Sequence, residues 1–466
     1  MVAVMRDSVR TRLAALAVGG ALLLSGSAGA MPASSPSAQL KLTDAQLAGQ
    51  RVIYSYSGLT PPAQLLAQIR AGEAAGVIFF ADNISSIGQI RGVARQLERA
   101  AAQSPIKTPL LLMTDQEGGL VRRLPGPPYM SEKQLGQSHN PVGAVLGAGR
   151  AAGRNLASAG LDVNLAPVLD VYRTPGNFID QYGRSYSSSA SLVARLGGAF
   201  IGAQQSVGAA ATAKHFPGLG AAATSQNTDV EPVTLHLSLH TLRTVDELPY
   251  RSAVKAGVDL VMVSWATYPA LDGHRPAGLS GRVVGGELRG RLHFTGVTIT
   301  DALEAGALSA FGSTSNRATL AAGAGMDLIL CSSQDPAQGV AAQRALLAAL
   351  HHGTLKRSTF TAAVDRVLKL RQALAGDMRG TAWAGLVALV PRGVPGRLWT
   401  LPRPAAPPPS PPGSGRVRPD VPRPGSGAPR VSRPGSGRVR PPTSPGPGPA
   451  GCAPHVSRRG SGRVRR

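Results

Sequence analysis

The chain has 466 residues, a formal net charge of +24 and only two cysteines. Its length leaves room for two or three domains, but two cysteines exclude a small fold held together by disulfides, so the folded part must rely on a hydrophobic core. The charge is unevenly placed: residues 377–466 hold sixteen arginines, no lysine and two acids, and therefore carry +14 of the total.

Residues 1–30 have the three parts of a secretory signal peptide. A segment with three arginines comes first, then the apolar stretch Leu13–Leu24, and then the small-residue site Ala28-Gly29-Ala30. The apolar stretch is short for a membrane-spanning helix, so we expect cleavage after residue 30 and secretion, with an uncleaved anchor as the alternative. Ser27 stands where a bacterial lipoprotein has its lipidated cysteine, so no stable membrane anchor is expected.

Between residues 31 and 375, short apolar runs alternate with Ala-, Leu- and Arg-rich stretches of helical character. The runs predict eight strands: Val52–Tyr56, Gly76–Phe80, Leu110–Thr114, Leu161–Leu165, Ala209–Ala213, Leu260–Ser264, Val297–Thr300 and Leu328–Cys331. Helices are predicted over Pro61–Ala75, Ser86–Gln103, Ser191–Val207, Leu248–Lys255 and Ala337–His352. Cys331, inside the last apolar run, is expected to be a small core residue.

The apolar runs are continuous rather than alternating, which indicates strands that are covered on both faces and therefore a parallel sheet. Eight strand-helix units favour a closed α/β barrel of the (β/α)8 TIM type over an open doubly wound sheet. The first strand is not followed by the Gly-x-Gly-x-x-Gly turn of dinucleotide-binding folds. We therefore predict that residues 31–375 form a single barrel domain.

Polar side chains stand at the ends of three predicted strands: Asp115, Lys214 with His215, and Asp301. In a (β/α)8 barrel all strands point their C-terminal ends at one face, so these side chains are expected to meet in one site. Asp301 is the best candidate for a nucleophile, because retaining glycoside hydrolysis needs a carboxylate with a second acidic group about 5–5.5 Å away. Its alternative role is the N-cap of a helix that begins at Ala302.

The other polar residues suit the binding of a polyhydroxylated molecule. Asp115 can accept hydrogen bonds from sugar hydroxyls, and Lys214 and His215 can donate them; a salt-bridged lysine and a core histidine are the alternative. The pair Gly118-Gly119 is expected to let the backbone approach a ligand closely. No His-Glu-x-x-His or paired-cysteine pattern indicates a metal, and no cofactor is expected.

Several ordered motifs between about residues 45 and 375 resemble glycoside hydrolase family 3, particularly its single-domain β-N-acetylhexosaminidases. They are Gly76-Val77-Ile78-Phe79-Phe80, Asp115-Gln116-Glu117-Gly118-Gly119, Asn164-Leu165-Ala166-Pro167-Val168-Leu169-Asp170, Arg184-Ser185-Tyr186, Lys214-His215-Phe216-Pro217-Gly218, Tyr268-Pro269-Ala270-Leu271 and Ile299-Thr300-Asp301. The resemblance implies a carbohydrate substrate, Asp301 as the nucleophile, and sugar-binding positions at Asp115, Arg184, Lys214 and His215.

One motif departs from the family pattern. The hexosaminidases carry an Asp-Ser-His segment after Lys-His-Phe-Pro-Gly, and its histidine is the general acid/base. Here Asn227-Thr228-Asp229 aligns with that segment if two extra residues are allowed, whereas at unaltered spacing Ser225-Gln226-Asn227 offers no acid. We predict Asp229 as acid/base, because a carboxylic acid whose pKa is raised by burial can protonate a glycosidic oxygen. His236 and His240 are the next candidates.

Two further departures leave the sugar specificity open. The family's second aspartate after the nucleophile is replaced by Ala302, and a histidine that is common in the family is replaced by Trp265. The favoured hypothesis is a secreted retaining β-glycosidase that hydrolyses β-N-acetylglucosaminides of cell-wall material. The alternative is a catalytically weak or inactive sugar-binding protein that has lost the acid/base histidine.

Residues 376–466 form a tail rich in Pro, Gly, Ser and Arg, with the repeat Pro-Gly-Ser-Gly-Arg-Val-Arg at 412–418 and 434–440. Such a composition cannot bury a core, so the tail is predicted to be disordered and dispensable for folding and activity. It is expected either to bind anionic cell-wall polymer or to be the product of a shifted reading frame. No aromatic residue follows Trp399, so nucleic acid is not an expected partner.

Overall fold

The structure is a computed structural model that describes the backbone of residues 41–387 and the side chains of residues 41–376. The predicted signal peptide lies outside the described residues, as does the predicted tail from residue 388 onward. Ten strands are present in residues 41–387: β1 Val52–Tyr54, β2 Gly76–Phe79, β3 Leu111–Thr114, β4 Gln116–Gly118, β5 Val121–Arg122, β6 Val163–Asn164, β7 Ala210–Phe216, β8 Leu260–Val263, β9 Val297–Thr300 and β10 Ile329–Leu330.

Eight of these strands form one parallel sheet in the order β10-β1-β2-β3-β6-β7-β8-β9. The sheet closes on itself, because Ile299 pairs in parallel with Leu328 just before β10. The amide of Thr300 donates to the Leu328 carbonyl at 3.1 Å, and the Leu328 amide donates to the Thr298 carbonyl at 2.9 Å. The predicted TIM-type barrel is confirmed, and each of the eight predicted strands overlaps a strand of the barrel.

Helices follow most of the strands and cover the barrel. Within the described residues they are α1 Asp44–Gly49, α2 Ala63–Ala71, α3 Ile87–Ala102, α4 Glu132–Gly136, α5 Pro141–Ala159, α6 Ala190–Gln205, α7 Leu239–Thr241, α8 Leu248–Lys255, α9 Thr314–Ala324, α10 Pro336–His351 and α11 Arg357–Val387. All five predicted helices are found. The helix predicted over Pro61–Ala75 is shorter, because Pro62 is extended (ψ 155°) and Gly72 ends the helix in a left-handed conformation (φ 75°).

The barrel strands bury both of their faces, which explains their continuous apolar runs. One face points into the barrel, where Ile53, Ile78, Met113, Leu260 and Ile299 share an inner core with residues of α11. The other face packs in an outer core against the surrounding helices. The predicted core position of Cys331 is confirmed, since it is fully buried in that outer core.

The final helix of the described region begins at Arg357 and its backbone continues to Val387, beyond the boundary predicted at residue 375. Its residues Val367, Leu370 and Leu374 complete the inner core. No helix in residues 41–387 has the length and apolar character that a membrane crossing requires.

Two local predictions need correction. The strand predicted to end at Ala213 extends to Phe216, so Lys214 and His215 lie within β7 rather than after it. A search for apolar runs ends this strand too early, because Lys214 and His215 are polar and are buried against carboxylates rather than apolar side chains. The sequence reading also missed the antiparallel hairpin of β4 and β5, which follows β3 directly.

Candidate active site

A cavity of about 360 Å³ opens at the C-terminal ends of the barrel strands. Every predicted site residue contributes to its wall: Asp115, Arg184, Lys214, His215, Asp229 and Asp301. The structure therefore brings together carboxylates and cations that are up to 186 positions apart in the sequence, as the convergence of barrel strands predicts. Apolar residues of the inner strands form the floor, among them Ile78, Leu165, Met262 and Leu330.

Asp301 stands directly after β9 at the cavity wall. Its Oδ1 accepts a hydrogen bond from the backbone amide of the next residue, Ala302, at 2.8 Å. It does not cap a helix at Ala302, because the next helical turn begins only at Gly306. The alternative role as a helix N-cap is therefore wrong, and the carboxylate lines the cavity.

Trp265 holds the segment that follows Asp301. Its indole Nε1 donates to the carbonyl of Ala302 at 2.8 Å, and the side chain is 1% exposed. Gly278 lies against the indole ring, where a Cβ would come within 2.5 Å of a ring carbon. The tryptophan that replaces the family histidine thus positions the backbone beside the carboxylate of Asp301.

The loop that carries Asp229 is attached to this same segment. The amide of Gly306 donates to the Asp229 carbonyl at 2.8 Å, and the amide of Ala307 donates to the Thr228 carbonyl at 3.0 Å. The approach requires glycine at position 306, because a Cβ there would lie 2.0 Å from the carbonyl oxygen of Val230. Backbone hydrogen bonds thus hold Asp229 and Asp301 in a fixed relation.

The Asp229 carboxyl has an unusual protonation equilibrium for an aspartate. Desolvation at the cavity wall and the negative charge of Asp301 raise its pKa to about 6, against the opposing influence of His215 and Arg184. The residue as a whole is exposed at the cavity mouth, so screening by water works to reduce this shift. The direction follows from geometry: two carboxyl groups facing one small cavity disfavour double ionisation.

A buried ion-pair network lies beside the two aspartates. Lys214 Nζ lies 2.7 Å from Asp115 Oδ1 and 2.8 Å from Glu117 Oε1, and Arg184 binds both oxygens of Glu117 at 2.8 and 2.9 Å. Burial works to raise the pKa of Glu117, but Arg184 and Lys214 outweigh it and lower that pKa to about 2. Burial likewise works to lower the pKa of Lys214, but Asp115 and Glu117 outweigh it and raise that pKa.

His215 is oriented by a second buried carboxylate. Its Nδ1 lies 2.8 Å from Asp170 Oδ2, while Asp170 Oδ1 accepts from the amide of Leu219 at 2.6 Å. The other ring nitrogen, Nε2, lies 3.4 Å from Nη2 of Arg184. Asp170 thus fixes the orientation of the His215 ring through Nδ1, and the ring lines the cavity.

Three important acids had no predicted role, although the motifs of two of them, Glu117 and Asp170, were identified from the sequence. Glu117 pairs with both cations, and Asp170 holds His215. Glu304 lines the cavity and accepts hydrogen bonds from Ser332 Oγ at 2.7 Å and from the amide nitrogen of Gln338 at 3.0 Å. Their positions in the sequence could have identified them, because each acid follows a barrel strand by a few residues.

Arg123 also lines the cavity and was missed, because the hairpin that carries it was not predicted. The role expected for the glycine pair is wrong: at Gly118 a Cβ would lie 2.2 Å from the Met130 carbonyl, so the close approach is to a neighbouring loop. His236 and His240 are exposed and do not line the cavity. Within residues 41–376, no three His, Cys, Asp or Glu side chains are grouped to hold a metal ion.

The substitution Trp265→Phe tests whether the indole positions the nucleophile. It leaves the Ala302 carbonyl without its donor, and a lost hydrogen bond of about 1.4 kcal/mol corresponds to about a tenfold loss of kcat. Tyr250→Phe is the matched control, because it removes a buried hydroxyl that has no hydrogen-bond partner. The measurements are kcat, KM and the melting temperature; an unchanged kcat in Trp265→Phe would show that the indole only fills space.

Comparisons with known proteins agree with this geometry. The model of the "Glycosyl hydrolase family 3 N terminal domain" matches residues 38–370. An "Uncharacterized secreted glycosyl hydrolase" from Arthroderma benhamiae is 45% identical over 330 residues, which are 70% of this chain and 93% of the relative.

Solved structures give the same result. A glycoside hydrolase family 3 β-N-acetylglucosaminidase from Paenibacillus sp. superposes with a TM-score of 0.68 and 35% identity, covering 72% of this chain and 63% of that chain. A β-N-acetylhexosaminidase from Beutenbergia cavernae superposes with a TM-score of 0.64 and 29% identity, covering 72% of this chain and 99% of that chain. This chain thus spans less than two thirds of the Paenibacillus protein and nearly all of the Beutenbergia protein.

Proposed function

Because the chain belongs to glycosyl hydrolase family 3 and resembles its β-N-acetylhexosaminidases, we propose that it is a retaining β-N-acetylglucosaminidase with Asp301 as nucleophile and Asp229 as acid/base. The observation that carries this proposal is that both carboxyl groups line one small cavity, where burial and the charge of Asp301 raise the pKa of Asp229 to about 6. Two carboxyl groups with different environments are what retaining glycoside hydrolysis uses.

The reaction proceeds in two steps. Asp301 attacks the anomeric carbon while Asp229 gives its proton to the glycosidic oxygen, so the leaving sugar departs neutral and a glycosyl-Asp301 ester remains. Asp229, now ionised, then takes a proton from water, and the water oxygen attacks the anomeric carbon and releases Asp301. The backbone hydrogen bonds from Gly306 to Asp229 and from Ala307 to Thr228 keep the two groups in place for both steps.

The network of cations and carboxylates binds the sugar hydroxyls. Asp115, which Lys214 holds at 2.7 Å, accepts from hydroxyls, and Arg184, Lys214 and His215 donate to them. Because Glu117 anchors both Lys214 and Arg184, these donors are fixed before substrate arrives. A cavity of about 360 Å³ is near the lower end for ligand pockets, which suits a single sugar ring and therefore release of sugars from a chain end.

Export and a cell-wall substrate are part of the proposal. Residues 1–30 have the layout of a secretory signal, and the Arthroderma relative is named a secreted hydrolase. The proposed domain order is a signal peptide at 1–30, the barrel domain from residue 31 and a basic tail. The tail, with its sixteen arginines, would hold the enzyme on anionic cell-wall polymer.

Turnover by the mature chain tests the function directly. We expect hydrolysis of an aryl β-N-acetylglucosaminide, with much weaker hydrolysis of the aryl β-glucoside. The competing function is a sugar-binding protein without proton transfer, which the absence of the family histidine favours. Calorimetric binding of N-acetylglucosamine without turnover of either glycoside would support that competing function and overturn the enzyme, while preferred turnover of the glucoside would overturn only the sugar assignment.

A further inference from the structure

A second cavity, which we call the basal cavity, lies at the opposite end of the barrel from the catalytic cavity. It has a volume of about 260 Å³ and is lined by Arg51, Arg289 and Arg366, with Met326 and Phe360 among its apolar residues. Arg51 directly precedes β1 and Met326 comes shortly before β10, so the basal cavity lies at the N-terminal ends of the strands. Among the described residues, none lines both cavities.

Two of the three arginines share one buried aspartate. Arg366 Nη2 lies 2.7 Å from Asp327 Oδ1, and Arg289 Nη2 lies 2.5 Å from Asp327 Oδ2. The backbone amide of Thr298 also donates to Oδ2 at 2.9 Å, so the carboxylate links β9 to the segment that leads into β10. One arginine is enough to neutralise Asp327, and the second therefore brings a positive charge in excess.

Arg51 adds a third positive charge, and its contacts are to neutral groups. Its guanidinium donates to the backbone carbonyls of Asp327, at 3.2 Å from Nε, and of Met326, and it lies over the ring of Phe360 at 4.4 Å from the centroid. Carbonyl oxygens and an aromatic face attract a cation but carry no net charge. In the described part of the chain, no Asp or Glu lines the basal cavity. The three arginines and Asp327 therefore leave two positive charges in excess.

This excess charge is held where water screens it poorly. Arg51 is 2% exposed, and burial together with the charge of Arg366 lowers its pKa to about 10, although Asp327 works to raise it. Burial and Arg366 also lower the pKa of Arg289, against the influence of Asp327. Nε of Arg289 is buried and has no hydrogen-bond partner within residues 41–376. All three side chains stay charged at neutral pH, so the fold retains an electrostatic cost that a bound anion would relieve.

The charge and shape of the basal cavity suit a phosphate group. The side chains of Arg289 and Arg366 are 21% and 29% exposed, so an anion can reach them from solvent. Guanidinium groups bind phosphate oxygens through paired N–H donors, and the apolar wall of Met326, Leu355 and Phe360 strengthens such contacts by excluding water. A phosphate group carries close to two negative charges at neutral pH, which matches the excess, whereas a carboxylate carries only one.

We propose that the basal cavity is a binding site for a dianionic phosphate group, either inorganic phosphate or a phosphomonoester, held by Arg51, Arg289 and Arg366. Because the site is separate from the catalytic cavity, this inference does not depend on the proposed function. The N-terminal end of a (β/α)8 barrel contributes to stability rather than to catalysis, so the bound phosphate should stabilise the folded chain.

The test measures the melting temperature of the mature chain in inorganic phosphate and in sodium chloride of the same ionic strength. We expect phosphate at about 20 mM to raise the melting temperature by about 2 °C or more, because a ligand that binds only the folded chain stabilises it. Anions that bind the basic tail, which is predicted to be disordered, would bind folded and unfolded chains alike and would not cause this rise. In Arg366→Gln, which removes one of the charges, the rise caused by phosphate should fall at least about fourfold.

Arg173→Gln is the matched control. The Arg173 side chain is 28% exposed and pairs with the buried Asp246, much as Arg366 pairs with the buried Asp327, but it lines neither the basal nor the catalytic cavity. This variant should keep the full rise caused by phosphate, even if its own melting temperature is lower. An unchanged rise in Arg366→Gln would overturn the site, because phosphate would then bind elsewhere, for example at the cations of the catalytic cavity. If Arg366→Gln does not fold, Arg289→Gln provides the same test.

Two further anions identify the ligand. Acetate at the same ionic strength should raise the melting temperature much less than phosphate, and an equal rise would overturn the assignment to a dianion. Glycerol 1-phosphate is a phosphomonoester: a rise with it that is lost in Arg366→Gln supports a phosphate group carried on a larger molecule. A rise with inorganic phosphate alone supports the free anion as the ligand, and no rise with either phosphate would overturn the proposal.

Discussion

The Asp301→Asn variant is expected to lose kcat on the order of 10⁴–10⁶-fold, the scale found when a nucleophile is removed. Asparagine keeps the shape of the side chain. It also keeps an oxygen that can accept the hydrogen bond from the Ala302 amide, which is 2.8 Å long with Asp301, so the fold should be retained. What it lacks is the negative charge that attacks the anomeric carbon. The measurements are kcat on an aryl β-N-acetylglucosaminide and the melting temperature.

Asp335→Asn is the matched control for this substitution. Asp335 is also a carboxylate that accepts from a nearby backbone amide, that of Ala337 at 2.9 Å, but it caps α10 and does not line the cavity. Its replacement should leave kcat unchanged. In addition, an activated fluorinated glycoside should label Asp301 covalently, and mass spectrometry of the digested protein identifies the labelled residue. A label on another carboxylate, or full activity of Asp301→Asn, would remove Asp301 as the nucleophile.

The sequence predicts the barrel well because barrel formation depends on signals within short segments. Continuous apolar runs such as Val297–Thr300 identify buried parallel strands, and the helices between them have residues of high helical propensity. The positions of Asp115 and Asp301 follow from the same rule, because each is the first residue after a strand. The fold and the location of the cavity are therefore local properties of the sequence.

The partners within the cavity are not local, and the sequence did not reveal them. Glu117 is 67 positions from Arg184 in the sequence, and Asp170 is 45 positions from His215. Only the closure of the barrel brings these pairs within hydrogen-bond distance. For the same reason β7 was predicted too short: Lys214 and His215 near its end are polar, and their buried partners Glu117 and Asp170 come from distant parts of the chain.

The position of Asp229 illustrates the limit of alignment by spacing. Two registers of its loop were possible, and one of them offered no acid. The structure places the Asp229 side chain at the cavity, while His236 and His240 are exposed outside it. The backbone hydrogen bond from Gly306 to Asp229 fixes the loop, and the number of residues in the loop does not predict this bond.

The Asp229→Ala variant should show losses that depend on the leaving group. A sugar leaves poorly without a proton, so kcat/KM for N,N′-diacetylchitobiose should fall about 10²–10⁴-fold, the usual contribution of general acid catalysis. A dinitrophenolate leaves without help, so the glycosyl-Asp301 intermediate should form quickly and accumulate. Added azide should then restore turnover and produce the glycosyl azide, because azide attacks without a general base.

His236→Ala and His240→Ala are the controls, since both residues are exposed and outside the cavity, and both should keep full activity. Equal small losses on both substrates in Asp229→Ala would mean that Asp229 only caps its own loop. Loss of activity in a histidine control would transfer the acid/base role to that histidine.

The pH dependence provides an independent test of the same assignment. A general acid acts in its protonated form, and desolvation together with the charge of Asp301 raises the pKa of Asp229 to about 6. The protonated fraction therefore falls as the pH rises above about 6, and kcat/KM for the disaccharide should fall with it. The dinitrophenyl glycoside, which needs no proton, should lack this decline, and Asp229→Ala should lack it for both substrates. If the decline persists in Asp229→Ala, the proton comes from another group and Asp229 is not the acid.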